Sequence, residues 1–336
     1  RQIFLENADL FSNFGYKTIR PFFSRRIGLN VPIIGGIRMS GNLDENWRLG
    51  VMDIQTQKDK NLGLSSENFG VFTLQRKVLD RSNISLIFVN KQQTETSEID
   101  NSNNLFNRNL GLEYNYFSKD NLWNGKVLFL KSLSPTKEEQ GNVYASHIGY
   151  QSTRWNWRIQ QEYISDNYTA EVGYIPRKNY LKLQAKGGYL NYTKKETILL
   201  SHGPSVSQTY FFDSKLDNKD QLISLKYLFN FKNRSQLSIG FQNQFIQLLS
   251  NFDPLRTGIA FLDEGTSHKW NNFTISYNSK PQNRFTYSLE TITGGYYSEG
   301  KRSAFMGEFG YRFQPFLELS SVVNFNQINL PAPWYN

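Results

Sequence analysis

The chain has 336 residues, no cysteine, a formal net charge of +9 and a mean hydropathy of −0.55, yet 15% of its residues are aromatic. That aromatic load excludes a disordered polyelectrolyte, and the lack of thiols excludes a disulfide framework or a thiolate metal site. No run approaches the ~18 apolar residues of a transmembrane helix, and Lys and Arg are scattered without a nucleic-acid-binding motif, so nucleic acid is not an expected partner.

Residues 1–31 read as an approach segment, within which Ile19 to Ile27, carrying Phe22 and Phe23, is the candidate for one strand. From there a period of two takes over. Apolar and polar side chains alternate through 32–43, 46–56, 69–78, 82–91, 107–118, 122–132, 143–152 and 154–164. The alternation continues through 179–190, 194–201, 219–231, 235–248, 268–278, 283–295, 302–313 and 316–326. In the fifth of these Leu110, Leu112, Tyr114 and Tyr116 alternate with Asn109, Gly111, Glu113 and Asn115. A period of two places each set on its own face of a β-strand. Runs of about ten residues exceed the usual five or six of soluble strands and match the 9–11 or so that a tilted strand needs to cross a bilayer.

The joints carry a second signal. Short ones at Asp44-Glu45, Asp80-Arg81, Lys119 to Asn121, Ser152-Thr153, Lys232 to Arg234, Lys280 to Gln282 and Gln314-Pro315 alternate with long ones at 57–68, 92–106, 133–142, 165–178, 202–218 and 249–267. Short periplasmic turns opposite long extracellular loops are the signature of an outer-membrane barrel. The expected fold is therefore all-β: a transmembrane antiparallel up-and-down β-barrel of at least 16 strands, occupying 1–336 as a single membrane domain. Bacterial barrels are normally even-numbered. The chain opens at Arg1 without a signal peptide and closes after Leu330-Pro331-Ala332-Pro333, so it reads as part of a longer polypeptide with C-terminal strands missing.

Cost decides which face meets lipid, because Lys or Arg at the midplane of a barrel wall costs about 2–4 kcal/mol. The charged face should point inward and the aromatic face outward, with Trp47, Trp155, Trp157, Tyr116, Tyr150, Tyr163, Tyr227 and Tyr311 as interfacial girdles. Inward Arg38, Arg48, Arg154, Arg158, Lys182, Lys186 and Lys226, interleaved with Glu113, Glu162 and Glu308, are the candidate ligand-binding residues of the lumen. Charged rings of this kind set selectivity in pores.

The runs from Gln2 to Phe11, Phe22 to Gly28, Ile33 to Arg38 and Glu171 to Arg177 resemble a group of Gram-negative outer-membrane proteins in which the barrel follows a carbohydrate-binding-module-like domain of the family-nine type. The resemblance implies an outer-membrane location and an associated sugar-binding-like domain. It carries no reaction onto residues of this chain.

Catalytic constellations are sparse. His147, His202 and His268 show no paired metal spacing. Glu138-Glu139 and Asp263-Glu264 are sequence neighbours, whereas glycosidase carboxylates must face each other about 5–10 Å apart. Asp213, Asp217, Asn218 and Asp220 make an oxygen-rich loop without the EF-hand pattern. No metal site and no cofactor is expected. Loop 251–265 is partly apolar through Leu255, Ile259, Ala260, Phe261 and Leu262, which suits a constriction or contact with an envelope partner. The resulting expectation is a non-enzymatic outer-membrane barrel for uptake, docking or export of a solute or glycan-type ligand, surrounded by lipid and lipopolysaccharide. The alternatives are an outer-membrane hydrolase acting on glycans or lipids through the full-length protein, and a scaffold subunit of a larger envelope complex.

Overall fold

The computed structural model describes residues 7–29, 31–59, 62–95, 105–136, 138, 140–194 and 196–331. Residues Gln2 to Glu6 of the first resemblance run, Glu139 and the middle of the 92–106 joint lie outside them. Among the described residues seventeen strands, all antiparallel and in one sheet, make up nearly all of the regular structure. Among the described residues no helix is long and apolar enough to cross a membrane.

The chain divides into two compact units, Arg1–Gly149 with Gln160–Leu181, and Tyr150–Ile159 with Lys182–Asn336. In the first, a four-residue helix α1 (Asp9–Ser12) precedes β1 (Ile33–Asn42), β2 (Trp47–Thr56), β3 (Ser66–Val78), β4 (Ser82–Glu95), β5 (Phe106–Phe117) and β6 (Trp123–Leu133). Each of these strands pairs with the next in an antiparallel ladder. β7 (Asn142–Gln151), β8 (Trp155–Ile164) and β9 (Tyr180–Tyr189) run across the unit boundary. The second unit adds β10 (Asn191–Tyr192), β11 (Leu199–Phe212), β12 (Asn218–Phe231), β13 (Gln236–Gln247), β14 (Ser267–Asn278), β15 (Phe285–Tyr296), β16 (Gly300–Phe313) and β17 (Leu317–Asn329). From β10 to β17 these too pair in sequence order.

Side-chain oxygens close the tight connections. Asp44 accepts the backbone N–H groups of Asn46 and Trp47 at 2.7 and 2.8 Å. Asp120 accepts the Leu122 N–H and the Ser118 hydroxyl. These are Asx-type turns, in which a short carboxylate replaces a backbone acceptor. The hydrogen bonds also hold the Asp120 carboxyl below its ordinary value, that from Ser118 contributing most.

Two sequence expectations are corrected. The segment Ile19 to Ile27 is not a strand. It forms a single 3-10 turn at Ser24–Arg26 and an isolated bridge between Arg20 and Tyr174, and its apolar side chains are spent on burial. The seventeenth strand is the two-residue β10 instead. The long joint expected at 202–218 is mostly strand: β11 runs through it, and the connection to β12 shrinks to residues 213–217. Gly203, Pro204 and three serines suggest a loop there, but β11 keeps register with β12 through Gly203↔Leu228 and Pro204↔Tyr227. Pro204 cannot donate to a ladder, and the strand beside it breaks at Leu190, between β9 and β10. With residues 297–299 also short, the alternation of long and short joints holds through β9 and weakens afterwards.

Candidate functional site

In the first unit one face of the sheet is covered and the other is exposed. Met52, Ile54, Phe69, Val71, Ile87 and Val89 on β2 to β4, with Leu128 and Leu130 on β6, are buried. Phe72, Ile84, Phe88, Leu110, Leu112 and Val127 stand on the opposite face and are exposed. β3, β4 and β6 are therefore apolar on both faces, which departs from the expectation of a polar inner face.

The cover is the chain's own N-terminal segment. Leu10, Phe11, Phe14, Ile19, Phe22 and Ile27 are all at most 7% exposed. Glycines make room for its two anchoring rings: a side chain at Gly50 would meet the Phe11 ring at 2.7 Å, and one at Gly111 would meet Phe14 at 2.8 Å. Fully burying a Phe contributes roughly 1.5–3 kcal/mol, so the two rings offset the ordering of about three residues at ~1–2 kcal/mol each, and the burial of Leu10, Ile19, Phe22 and Ile27 is needed beside them. The connection 165–179 completes the cover. Tyr168 and Val172 are buried, Asn107 donates to the Thr169 hydroxyl at 3.0 Å, and the Phe23 N–H reaches the Val172 carbonyl at 2.7 Å. Burial raises the Tyr168 phenol well above its ordinary pKa.

Charge sits at chosen points in this packing. Glu113, 3% exposed, accepts the Gly15 N–H at 2.6 Å and pairs with Lys126 at 2.9 Å, while Lys126 also donates to the Gly15 carbonyl at 2.8 Å. Arg48 holds Asp9 of α1 through two bonds of 2.8 and 3.0 Å, and also reaches Gln75. Arg38 lies 5.0 Å above the Phe11 ring. Lys91 bridges Glu67 and Glu171 at 2.7 and 2.6 Å, tying β3 and β4 to the covering connection. The Tyr16 hydroxyl and His147 Nδ1 are 2.9 Å apart. A cavity of about 320 Å³ remains beside α1, walled by Arg48, Thr73, Gln75, Asn83, Asn115 and Lys126 among others.

The remaining sequence candidates do not join this cluster. Glu162 is buried and accepts from Gln160 and from the Tyr180 hydroxyl. In the second unit Arg154 is exposed in the turn before β8, and Lys186 and Lys226 are exposed on β9 and β12. Arg158 has a buried Nε, Lys182 lies 5.8 Å from the Phe211 ring, and Glu308 shares a cavity with Ser288, Arg312 and Glu318. The ten residues thus occupy separate environments, three of them (Arg38, Arg48 and Glu113) holding down the N-terminal segment. Sequence reasoning missed Lys126, Lys91 and Asp9. Parity was the available signal for the first, since Lys126 shares a face with Leu128 and Leu130.

Among the described residues no three His, Asp or Glu side chains gather as a metal site. Asp213 instead makes a turn, accepting the Lys215 and Asp217 N–H groups and pairing with Lys219 at 3.1 Å. Loop 251–265 bridges back on itself through Phe252 and Leu262, leaving Ile259 and Phe261 exposed at 77% and 53%.

The Asp9–Arg48 contact predicts a pH dependence. Hydrogen bonding to Arg48, the largest influence, holds the Asp9 carboxyl below its ordinary pKa. A depressed carboxylate stabilises above its unfolded pKa of about 3.9 and loses that contribution as pH falls through the folded value. Wild type should therefore melt higher than Asp9→Asn at neutral pH, with the gap closing below about pH 4. The Asp9 side chain is 44% exposed, so the gap should be small and should shrink with salt.

Long antiparallel strands with one exposed apolar face, and a covered face pinned by buried ion pairs, define a large all-β sheet protein with an internal cover. The chain belongs to the family described as a domain of unknown function (DUF5916), which matches residues 30–334. Neither a curated protein nor a solved structure matches it.

Proposed function

We propose that the chain is a β-barrel of the Gram-negative outer membrane, non-enzymatic, that admits, docks or exports a solute or glycan-type ligand. The observation that carries this reading is the exposed apolar face, present in both units: Leu110, Leu112 and Val127 in one, Phe273, Ile275 and Val323 in the other, each at least 43% exposed. An apolar surface repeated over strands of 10 to 14 residues is untenable in water and natural against acyl chains. In this reading the N-terminal segment is a plug in the first half of the barrel, and the second half presents a polar inner face. The resemblance to barrels that follow a sugar-binding-like domain points to the same ligand class. The histidines favour a structural role over hydrolysis: His147 meets Tyr16, His202 meets the Tyr227 hydroxyl at 2.6 Å, and His268 meets Thr266.

Arginine substitution on each face tests the reading. Leu112→Arg and Ile275→Arg should each cost about 2–4 kcal/mol when the protein refolds into liposomes, seen as loss of the heat-modifiable folded band on gels. Gln244→Arg, on the opposite face of β13, should be tolerated. Equal tolerance of all three, or failure of the wild-type protein to enter liposomes, overturns the proposal. The exposed Ile259 and Phe261 favour the scaffold reading as a second possibility, and recovery of a larger complex from native membranes in mild detergent would support it.

A further inference from the structure

In the second unit one groove departs from the chemistry of its face. Along β11 to β14 the face opposite Phe241, Phe273 and Ile275 is built from Ser207, Ser224, Gln242, Asn272 and Thr274, with aligned register. At the end nearest the 248–266 connection this polar face turns aromatic. Phe211 pairs with Asp220, Asp220 with Ile246, and Gln244 with Trp270, so these side chains stand on that one face. Tyr297, from the turn after β15, lies against Trp270 with ring centroids 4.8 Å apart, and Tyr296 lies 4.8 Å from Tyr297. Thr209, Phe211, Asp220, Gln244, Trp270 and Tyr297 line a cavity of about 310 Å³, at the lower end of the ~300–1,000 Å³ typical of small-ligand clefts.

In the barrel reading, membrane contact does not explain these rings, because the lipid-directed aromatics of the same strands, Phe241 and Phe273, occupy the other face. We propose that this groove is a carbohydrate subsite. A pyranose has a flat face of C–H groups that stacks on Trp or Tyr and a rim of hydroxyls that exchange hydrogen bonds with amides and carboxylates. The groove supplies both: aromatic faces at Phe211, Trp270 and Tyr297, and a rim of Thr209, Asp220 and Gln244. Lys182 lies 5.8 Å from the Phe211 ring and sets a positive charge beside the groove. Trp270 and Tyr297 provide the platform, and Gln244 and Asp220 select the hydroxyl pattern.

This inference rests on the barrel reading, because only there does the polar face line an aqueous interior. The test uses the full chain refolded in a detergent without a sugar headgroup and titrated with maltohexaose, cellohexaose and xylohexaose, followed by calorimetry and tryptophan fluorescence. Saturable binding of at least one oligosaccharide is expected. It should weaken about tenfold in Trp270→Leu, as loss of a stacking partner implies, and also in Gln244→Ala, which leaves the aromatic packing intact. Trp155→Leu, on an exposed position outside the groove, should bind as wild type. Protein that enters liposomes but binds none of the three sugars, or binds them equally after both groove substitutions, overturns the subsite and leaves the barrel standing. Failure to enter liposomes overturns the barrel first and the subsite with it.

Discussion

Glu113→Ala should destabilise the first unit by about 3–5 kcal/mol, the usual consequence of removing one partner from a buried ion pair. The size follows from what is left behind. Lys126, 14% exposed, keeps the Gly15 carbonyl and the Tyr16 ring but no carboxylate among the described residues, the Gly15 N–H loses its acceptor, and the Asn115 amide keeps Asn83 but loses Glu113. Because two of the three affected donors face or belong to the N-terminal segment, the loss should appear first as release of that segment. Trypsin should then cut at Lys17 and Arg25 before the strands are attacked, and the denaturant midpoint should fall. The double change Glu113→Leu with Lys126→Met separates charge from geometry. Replacing a buried pair by apolar groups is often close to neutral, so the residual loss should be that of the unsatisfied Gly15 amide, about 1–3 kcal/mol. A double variant as damaged as Glu113→Ala would show that the pair's attraction is not what holds the segment.

A strict period of two told which residues share a face, and it located the strands because long antiparallel ladders leave little else to decide. Leu110 to Tyr116 and Ile223 to Phe231 were legible for that reason. Periodicity does not say what lies over a face. The interior apolar residues Ile87, Val89, Leu128 and Leu130 look in sequence like strengthened strands, and only the fold shows that Phe11 seats at Gly50 and Phe14 at Gly111, far along the chain, to cover this face. Ile19 to Ile27 was misread for the same cause: its apolar side chains serve burial under a loop, with the backbone satisfied at isolated bridges such as Arg20 to Tyr174. β11 was misread in the opposite sense, because glycine, proline and serine advertise a turn while thirteen register positions with β12 override them. The resemblance run Glu171 to Arg177 acquires a physical content here. Glu171 accepts from Lys91, and any side chain at Gly173 would collide with the Arg20 carbonyl, so the run fits the clasp over the N-terminal segment.

Valine at both Gly50 and Gly111 should expel the N-terminal segment while leaving the strands paired. Each new side chain would occupy the space of a ring that now anchors the cover: Gly50 against Phe11 and the Thr73 hydroxyl at 2.7 Å, Gly111 against Leu130, Ile87 and Phe14 at 2.7 to 2.8 Å. Overpacking of this kind costs about 1–3 kcal/mol at a site. The strand backbone responds in the opposite direction, since glycine in a strand interior is worse than a residue with a side chain by roughly 0.5–1 kcal/mol. The wall side chains Thr73, Ile87 and Leu130 must shift as well, but their strands stay held by ladder hydrogen bonds, whereas the cover loses the seats of both its rings. The expected result is a protein with native β-sheet content by circular dichroism whose Lys17, Arg25 and Arg26 become sites of rapid tryptic cleavage. Alanine at the same positions should do much less, because its single methyl meets only the ends of side chains, Phe11 and Thr73 at one site and Phe14, Ile87 and Leu130 at the other, which can give by small movements. Loss of sheet structure in the valine variant would mean that the N-terminal segment is part of the folding core of β2 to β6, and not a separable element laid over a wall that stands without it.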